Sequence, residues 1–341
     1  MLRIETCGTW REMGRQYGEA LRDELRQCMA QFSPWLLAEP AKYAPAIEDL
    51  RGALRPVCPE LLDESVGIAE GAELDEDLTL GYRFFNEVRA RLAEECSAVC
   101  LCRTDKGPLL GRNCDLMAGF EAEVQLCQVR RADDGPACVL TTYVGLTGGQ
   151  GLNEYGLGIA GASAGTEAVY GKSGLPGAAL CHLLLHRCRD VSEAYALLSR
   201  HPFLGKPMNL VAADAGGHSV LLEFAPGRTA VPVPRRADRD WQACTNFFIS
   251  GEIPIRVDPR YLGNAYARYG RIVHQLGEGL AEYSLAGLER LLTDIAQPGL
   301  CCPEETTTLR TAYSQVLDLG QRAMHLCPGH PAALPYQLVA L

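Results

Sequence analysis

The hydrophobic rhythm of the chain changes once, near residue 96. Before that point the spacing is helical. From Trp10 to Phe32 apolar residues recur three and four apart, and Ala69 to Leu92 is rich in Glu, Leu, Ala and Arg, so residues 1 to about 95 read as helical. Pro40, Pro45, Pro56 and Pro59 punctuate this region. Beyond it, short apolar runs separated by Gly, Asp or Pro predict strands over 97–103, 108–114, 123–131 and 137–144. Asn153-Glu154-Tyr155-Gly156 reads as a tight turn feeding a strand over 157–162, and Pro176 to Arg189 reads as a helix with proline near its first turn. A helix over 191–200 is followed by strands near 208–213, 219–224 and 229–233. Helices over 261–276 and 284–295 then lead to a closing hairpin, 308–317 with 322–327. Strands, then helices, then strands predict an α+β layered fold, with no internal repeat or low-complexity segment.

Composition narrows the class. A chain of 341 residues with 47% hydrophobic content can bury an ample core. The net charge of −10 argues against a nucleic-acid partner, which needs concentrated Lys and Arg to displace counterions. The basic cluster Arg235-Arg236-Ala237-Asp238-Arg239-Asp240 is interrupted by acids and reads as a solvated loop. The amino-terminal residues carry no charged segment followed by an apolar run, and no stretch approaches bilayer length, so the expected location is cytoplasmic, with no membrane partner. Fifteen cysteines in a chain of this size are expected to remain thiols packed as small hydrophobes, and the adjacent Cys301-Cys302 suits a disulfide framework poorly.

The chemistry concentrates where the rhythm changes. Cys96 opens a strand, a turn falls near Asp105-Lys106-Gly107, and the return strand carries Arg112 and Asp115 back toward the thiol. A thiol, a cation and a carboxylate at one end of a sheet are the raw material of an activated cysteine. Read on residue types alone, Cys96 is one of fifteen thiols and Arg112 with Asp115 an ordinary ion pair.

The order and spacing of several segments supply more. Gly111-Arg112-Asn113-Cys114-Asp115 follows Cys96, Gly8-Thr-Trp-Arg-Glu-Met-Gly14-Arg-Gln-Tyr-Gly18 opens the chain, and Thr245-Asn246 and Tyr266-Ala-Arg268-Tyr269 come later. Together they resemble the choloylglycine hydrolase and isopenicillin N acyltransferase group of cysteine N-terminal nucleophile hydrolases, and the opening segment resembles its acyl-CoA:6-aminopenicillanic acid acyltransferase branch. The resemblance implies a four-layer αββα sandwich of two antiparallel sheets. It also implies cleavage between Glu95 and Cys96, leaving residues 1–95 as a helical pro-region or small subunit that stays associated and 96–341 as the catalytic domain. The new α-amine would serve as base, titrating at roughly 7.7 to 8.0 against about 8.5 for a thiol, so proton exchange between them is nearly balanced. Arg112 would favour the thiolate and Asp115 would orient the amine.

Carried over in the same way, Asn246 is the oxyanion donor. Ser163 stands where bile-salt-type members place an asparagine, leaving the second donor either its hydroxyl or a backbone amide. Arg268 and Asn113 are support or substrate-binding residues. The implied substrate is a small N-acyl amide or other acyl donor, attacked to give a thioester that passes to water or an amine. No cofactor or metal is called for, although a CoA thioester could serve as acyl donor.

Other signals carry less. Gly156-Leu-Gly158-Ile-Ala-Gly161 matches a dinucleotide fingerprint literally, but its glycines sit inside a strand-like run. His182 and His186 have metal-pair spacing without an evident carboxylate partner, and Cys96, Cys100 and Cys102 share a strand face without a paired zinc spacing. Trp10, Tyr82, Phe84 and Phe85 read as core aromatics, although the resemblance implies that amino-terminal helices shape the pocket. Two rival readings are an unprocessed family member acting as a binding or scaffold protein, and a thiol-rich metal or redox protein.

Overall fold

Alternating burial along the strands sorts the chain into two facing sheets. The computed structural model describes residues 1–84, 94–117, 124–164, 174–253, 259–296, 298–303 and 309–341. Its strands are β1 (Leu2–Gly8), β2 (Glu94–Leu101), β3 (Leu109–Met117), β4 (Gln125–Ala132), β5 (Cys138–Tyr143), β6 (Gln150–Asn153), β7 (Gly158–Ser163), β8 (Leu175–Pro176), β9 (Phe203–Leu204), β10 (Met208–Ala213), β11 (Ser219–Phe224), β12 (Val231–Pro234), β13 (Trp241–Cys244), β14 (Leu309–Asp318), β15 (Ala323–Cys327) and β16 (Gln337–Ala340). One sheet has the order β1-β4-β5-β6-β7-β10-β11-β12, the other β13-β2-β3-β14-β15-β16, and β8 pairs with β9 apart from both. The two large sheets are antiparallel except where β1 runs parallel to β4.

The layering follows from which side chains meet. Cys96, Ala98, Cys100, Leu110 and Cys114 of the smaller sheet pack against Val129, Val139, Ala160, Val211 and Leu221 of the larger one. The alternate residues of the smaller sheet, Val99, Leu101, Leu109 and Val316, meet Ile272, Leu276, Leu288 and Leu292 of the helices Pro259–Gly277 and Leu285–Leu292. The outer face of the larger sheet, with Leu126, Leu140, Ile159 and Leu210, is covered by helices Gly177–Arg187 and Val191–Leu198 and by the amino-terminal helices. Period-two alternation sends one set of side chains inward and the other outward. The result is the αββα sandwich expected from the resemblance.

The amino-terminal region departs from an all-helical reading in two ways. Leu2–Gly8 is an edge strand, and its pairing with β4 joins it to a partner more than a hundred residues away. The periodic stretch from Trp10 divides at Leu21 into helices Trp10–Ala20 and Arg22–Phe32. The Ala69–Leu92 run contains the end of helix Glu60–Ala72 and the helix Glu76–Arg83, separated where Glu73 takes a left-handed conformation. The end of that run, with Phe85, lies outside the described residues. Trp10, Tyr82 and Phe84 are buried. Among the described residues no helix is long and apolar enough to cross a membrane.

The opening glycines have a packing reason. A Cβ at Gly14 would stand 2.2 Å from the Glu64 carbonyl oxygen, and one at Gly67 would stand 2.1 Å from that of Arg11. Helices Trp10–Ala20 and Glu60–Ala72 therefore touch backbone to backbone, a distance only glycine permits.

Behind this contact, Glu64 lies buried between Arg83 and Arg130, joining two helices to β4. Burial alone would raise the Glu64 pKa, but Arg130 and then Arg83 pull it down from 4.5 to about 2. A depressed carboxylate contributes its stabilisation above its unfolded pKa and loses it as the pH falls through the folded value. Glu64 should thus withdraw on the order of 3 kcal/mol between pH 5 and pH 2. Melting curves for wild type and Glu64→Gln across that range test this, because the gap between the two proteins should shrink as the pH falls.

Candidate active site

The β2–β3 hairpin brings cation to thiol by register. Cys96 pairs with Cys114 and Ala98 with Arg112, so Cys96 and Arg112 share the face between the sheets. The Arg112 Nη2 donates to Cys96 Sγ at 3.2 Å. Its other two nitrogens are anchored, Nε on the Gly161 carbonyl at 3.1 Å and Nη1 on the Tyr313 hydroxyl at 2.7 Å. A planar guanidinium held at two corners has its third direction fixed.

A second group converges from β13 and the helix Pro259–Gly277. At Cys244 the strand ends its pairing with β2, and the chain turns through Thr245 and Asn246. Asn209, fully buried on β10, donates to the carbonyls of Thr245 and Phe247 at 2.8 and 2.7 Å and fixes that turn. The Asn246 Oδ1 accepts from the Cys96 backbone N at 3.1 Å and from Arg268 Nη2 at 2.7 Å. Its Nδ2 donates to the Ser163 carbonyl at 2.7 Å and lies 3.4 Å from the Ser163 hydroxyl. Arg268 also donates to the Cys96 carbonyl and Ser97 Oγ, both at 2.7 Å, and to Asn264 Oδ1 at 2.6 Å. Five residues singled out from the sequence, Cys96, Arg112, Ser163, Asn246 and Arg268, therefore meet.

Asp115 and Asn113 stand on the other face of the sheet. Asp115 pairs with Glu95, is buried, and accepts at Oδ1 from Thr311 Oγ1 at 2.6 Å. It lies one register step from Cys96, under the bond that cleavage would break. Asn113 donates to the carbonyls of Leu292 and Leu300 at 2.8 and 2.9 Å, tying β3 to the outer helical layer. Of the two roles considered for Asn113, this position fits support and takes it away from substrate, because strand alternation turns it from the inter-sheet space. Tyr313, Thr311 and Asn209 were missed from sequence. The only available signal for Asn209 was a lone amide in the otherwise apolar run 208–213.

A cavity of about 190 Å³ adjoins the cluster, lined among others by Arg112, Ser163, Tyr143, Lys206, Met208 and Tyr313. Burial pushes the neighbouring Cys244 thiol up to about 12 and the Tyr313 phenol well above its ordinary value, so both remain protonated around neutral pH. Other sequence signals resolve structurally. Gly161 sits inside β7, where a Cβ would meet the Asn209 carbonyl at 2.0 Å. His182 and His186 stack on each other and on Trp10, and His182 contacts Glu60. Among the described residues no three His, Cys, Asp or Glu side chains are grouped to hold a metal ion. No disulfide is formed, and every cysteine except Cys7 is buried.

A buried thiol beside a guanidinium, near the start of a strand in an αββα sandwich, is the arrangement that the motifs of the sequence implied. The chain belongs to the family described as acyl-coenzyme A:6-aminopenicillanic acid acyl-transferase, whose profile matches residues 102–333 and so spans Arg112, Asp115, Ser163, Asn246 and Arg268. No curated protein matches the chain. Among solved structures it is similar to penicillin V acylase from Agrobacterium tumefaciens, at 16% identity over 72% of this chain and 86% of that one, TM-score 0.47. It is also similar to a mutant of conjugated bile acid hydrolase from Clostridium perfringens, at 15% identity over 72% of this chain and 92% of that one, TM-score 0.47.

Proposed function

We propose that the chain is a self-cleaving cysteine amidohydrolase or N-acyltransferase with Cys96 as nucleophile. The observation that carries this reading is the double engagement of one residue: Cys96 Sγ receives Arg112 Nη2, while the Cys96 backbone N is held by Asn246 Oδ1. A guanidinium favours the thiolate, and the amide that holds the nitrogen also presents an NH₂ group toward Ser163.

Maturation begins when Sγ attacks the Glu95 carbonyl carbon. The C–N bond to Cys96 breaks and its nitrogen takes the thiol proton, which frees the Cys96 α-amine; water then cleaves the resulting thioester, releasing the Glu95 carboxylate and returning the Cys96 thiol. In turnover the α-amine accepts the thiol proton, Sγ attacks the substrate carbonyl, and Asn246 Nδ2 donates to the developing oxyanion. The leaving amine takes the proton back, and water or a second amine resolves the thioester. Asp115, adjacent to the cut bond, orients the α-amine.

Substrates are small N-acyl amides, with an acyl thioester such as a CoA ester as an alternative donor, their acyl or amine part occupying the cavity beside Arg112 and Ser163. The segment 1–95 remains attached after cleavage, because β1 is hydrogen-bonded into the larger sheet and its helices pack on that sheet.

Intact-mass measurement of purified protein under denaturing conditions is the direct test. Two species ending at Glu95 and beginning at Cys96 are expected. A single full-length species that still turns over amide substrate would remove the mechanism, and one without activity would favour a binding protein.

A further inference from the structure

One irregularity in β14 supplies a hydroxyl to each of the two charges that serve Cys96. Along β14, Thr311 pairs with Asp115 and Tyr313 with Cys114, so Ala312 is the extra residue of a β-bulge. In a regular strand, residues two apart share a face; the bulge breaks that rule and sends Thr311 and Tyr313 to opposite faces. Thr311 reaches Asp115 on the helix-covered side, and Tyr313 reaches Arg112 between the sheets. Building on the function proposed above, we infer that Thr311 and Tyr313 are positioning residues of this site, Tyr313 aiming the Arg112 guanidinium at the thiol and Thr311 holding the Asp115 carboxylate at the α-amine.

For Tyr313, the argument is one of direction. Arg112 Nη1 donates to the phenol oxygen at 2.7 Å, and the direction is fixed because a guanidinium can only donate. Without the hydroxyl, Arg112 loses the Nη1 bond that, together with the Gly161 carbonyl on Nε, sets the direction of Nη2. For Thr311, the hydroxyl is likewise directed: it accepts from Cys302 N at 2.8 Å and so donates to Asp115 Oδ1. Among the described residues, the charged or titratable groups around the sulfur include Arg112 and Cys114 on β3, Tyr143 on β5, Cys244 on β13, Tyr313 on β14 and Arg268 on the helix Pro259–Gly277.

The test uses full-length wild type, Tyr313→Phe, Thr311→Val and Thr311→Ser. Self-cleavage is followed by intact mass, and alkylation of Cys96 by iodoacetamide is followed by peptide mapping across pH 5 to 10. In Tyr313→Phe the alkylation midpoint is expected to rise by about one pH unit, a tenfold slower reaction below the midpoint, with a melting temperature close to wild type. Thr311→Val should cleave itself about tenfold more slowly, and Thr311→Ser should restore the wild-type rate. Should Tyr313→Phe fail to fold, Tyr313→Met, an apolar side chain that likewise offers Arg112 no oxygen, is read in the same assays, with an upward shift expected. An unshifted profile in a folded variant, or slowing that only tracks lost thermal stability, overturns the inference and leaves self-cleavage intact as a reading. A wild type that never cleaves instead overturns the reading and the inference together.

Discussion

Cys96→Ala is expected to purify as one uncut chain and to lose turnover by about 10⁴-fold or more, the scale on which deleting a nucleophile acts. The variant should still fold, which makes its failure informative. Cys96 is fully buried between the sheets, and alanine leaves only the space of one sulfur atom. Arg112, which would otherwise be stranded, keeps its bonds to the Gly161 carbonyl and the Tyr313 hydroxyl. Arg268 and Asn246 engage the backbone of residue 96 and do not depend on its side chain. Loss of cleavage would therefore report the missing sulfur and not a collapsed site. Cys96→Ser keeps an attacking atom of lower reactivity at neutral pH, so slow cleavage at the same bond is expected. Amino-terminal sequencing fixes the position of the cut. A Cys96→Ala protein that still separates after Glu95 would show that an outside protease makes the cut, and one that retained turnover would remove Cys96 from the chemistry.

How far the sequence could be read depended on how local each signal was. The strands over 208–213 and 219–224 coincide with β10 and β11 because each is a bounded apolar run. The hairpin at Cys96 was legible because its turn and alternation lie within one window, whereas the face that Asp115 takes is set by the register between β2 and β3. By contrast β6, β13 and β16 have four residues each, too few for a period to emerge against neighbouring turns. β13 matters most among these, since it delivers Thr245 and Asn246 to the thiol. β1 escaped notice because three of its seven residues are exposed and, among the described residues, its one strand partner is β4, more than a hundred residues away. Thr311 and Tyr313 could not be placed, because a bulge is a property of register between two strands and leaves no mark in either alone. Arg112, Asn246 and Arg268 were singled out by motif order, whereas their bonds to Cys96, and that of Arg268 to Asn246, arise from elements that meet only in the folded chain.

Asn246→Asp should cost self-cleavage and turnover about 10² to 10³-fold, more than its loss of thermal stability accounts for. The substitution changes one group while conserving shape. In the native residue Oδ1 faces two donors, Cys96 N and Arg268 Nη2, whereas Nδ2 faces the Ser163 carbonyl, so the amide has a single consistent orientation. Aspartate preserves the first half of this arrangement, and its contact with Arg268 becomes an ion pair. It replaces the second half with an oxygen that cannot donate. That oxygen faces the Ser163 carbonyl with no proton between them, which costs some stability, and the developing oxyanion meets a negative charge in place of an N–H. Loss of one such donor is worth about 2.7 to 4 kcal/mol in the transition state. Asn246→Ala, by comparison, removes both halves and leaves Arg268 with one acceptor fewer, so it should lower the melting temperature as well as the rate. If Asn246→Asp cleaved and turned over like wild type while Asn246→Ala lost stability, Asn246 would be a structural clamp on Arg268, and the oxyanion would have to be met by the Ser163 hydroxyl or by a backbone amide.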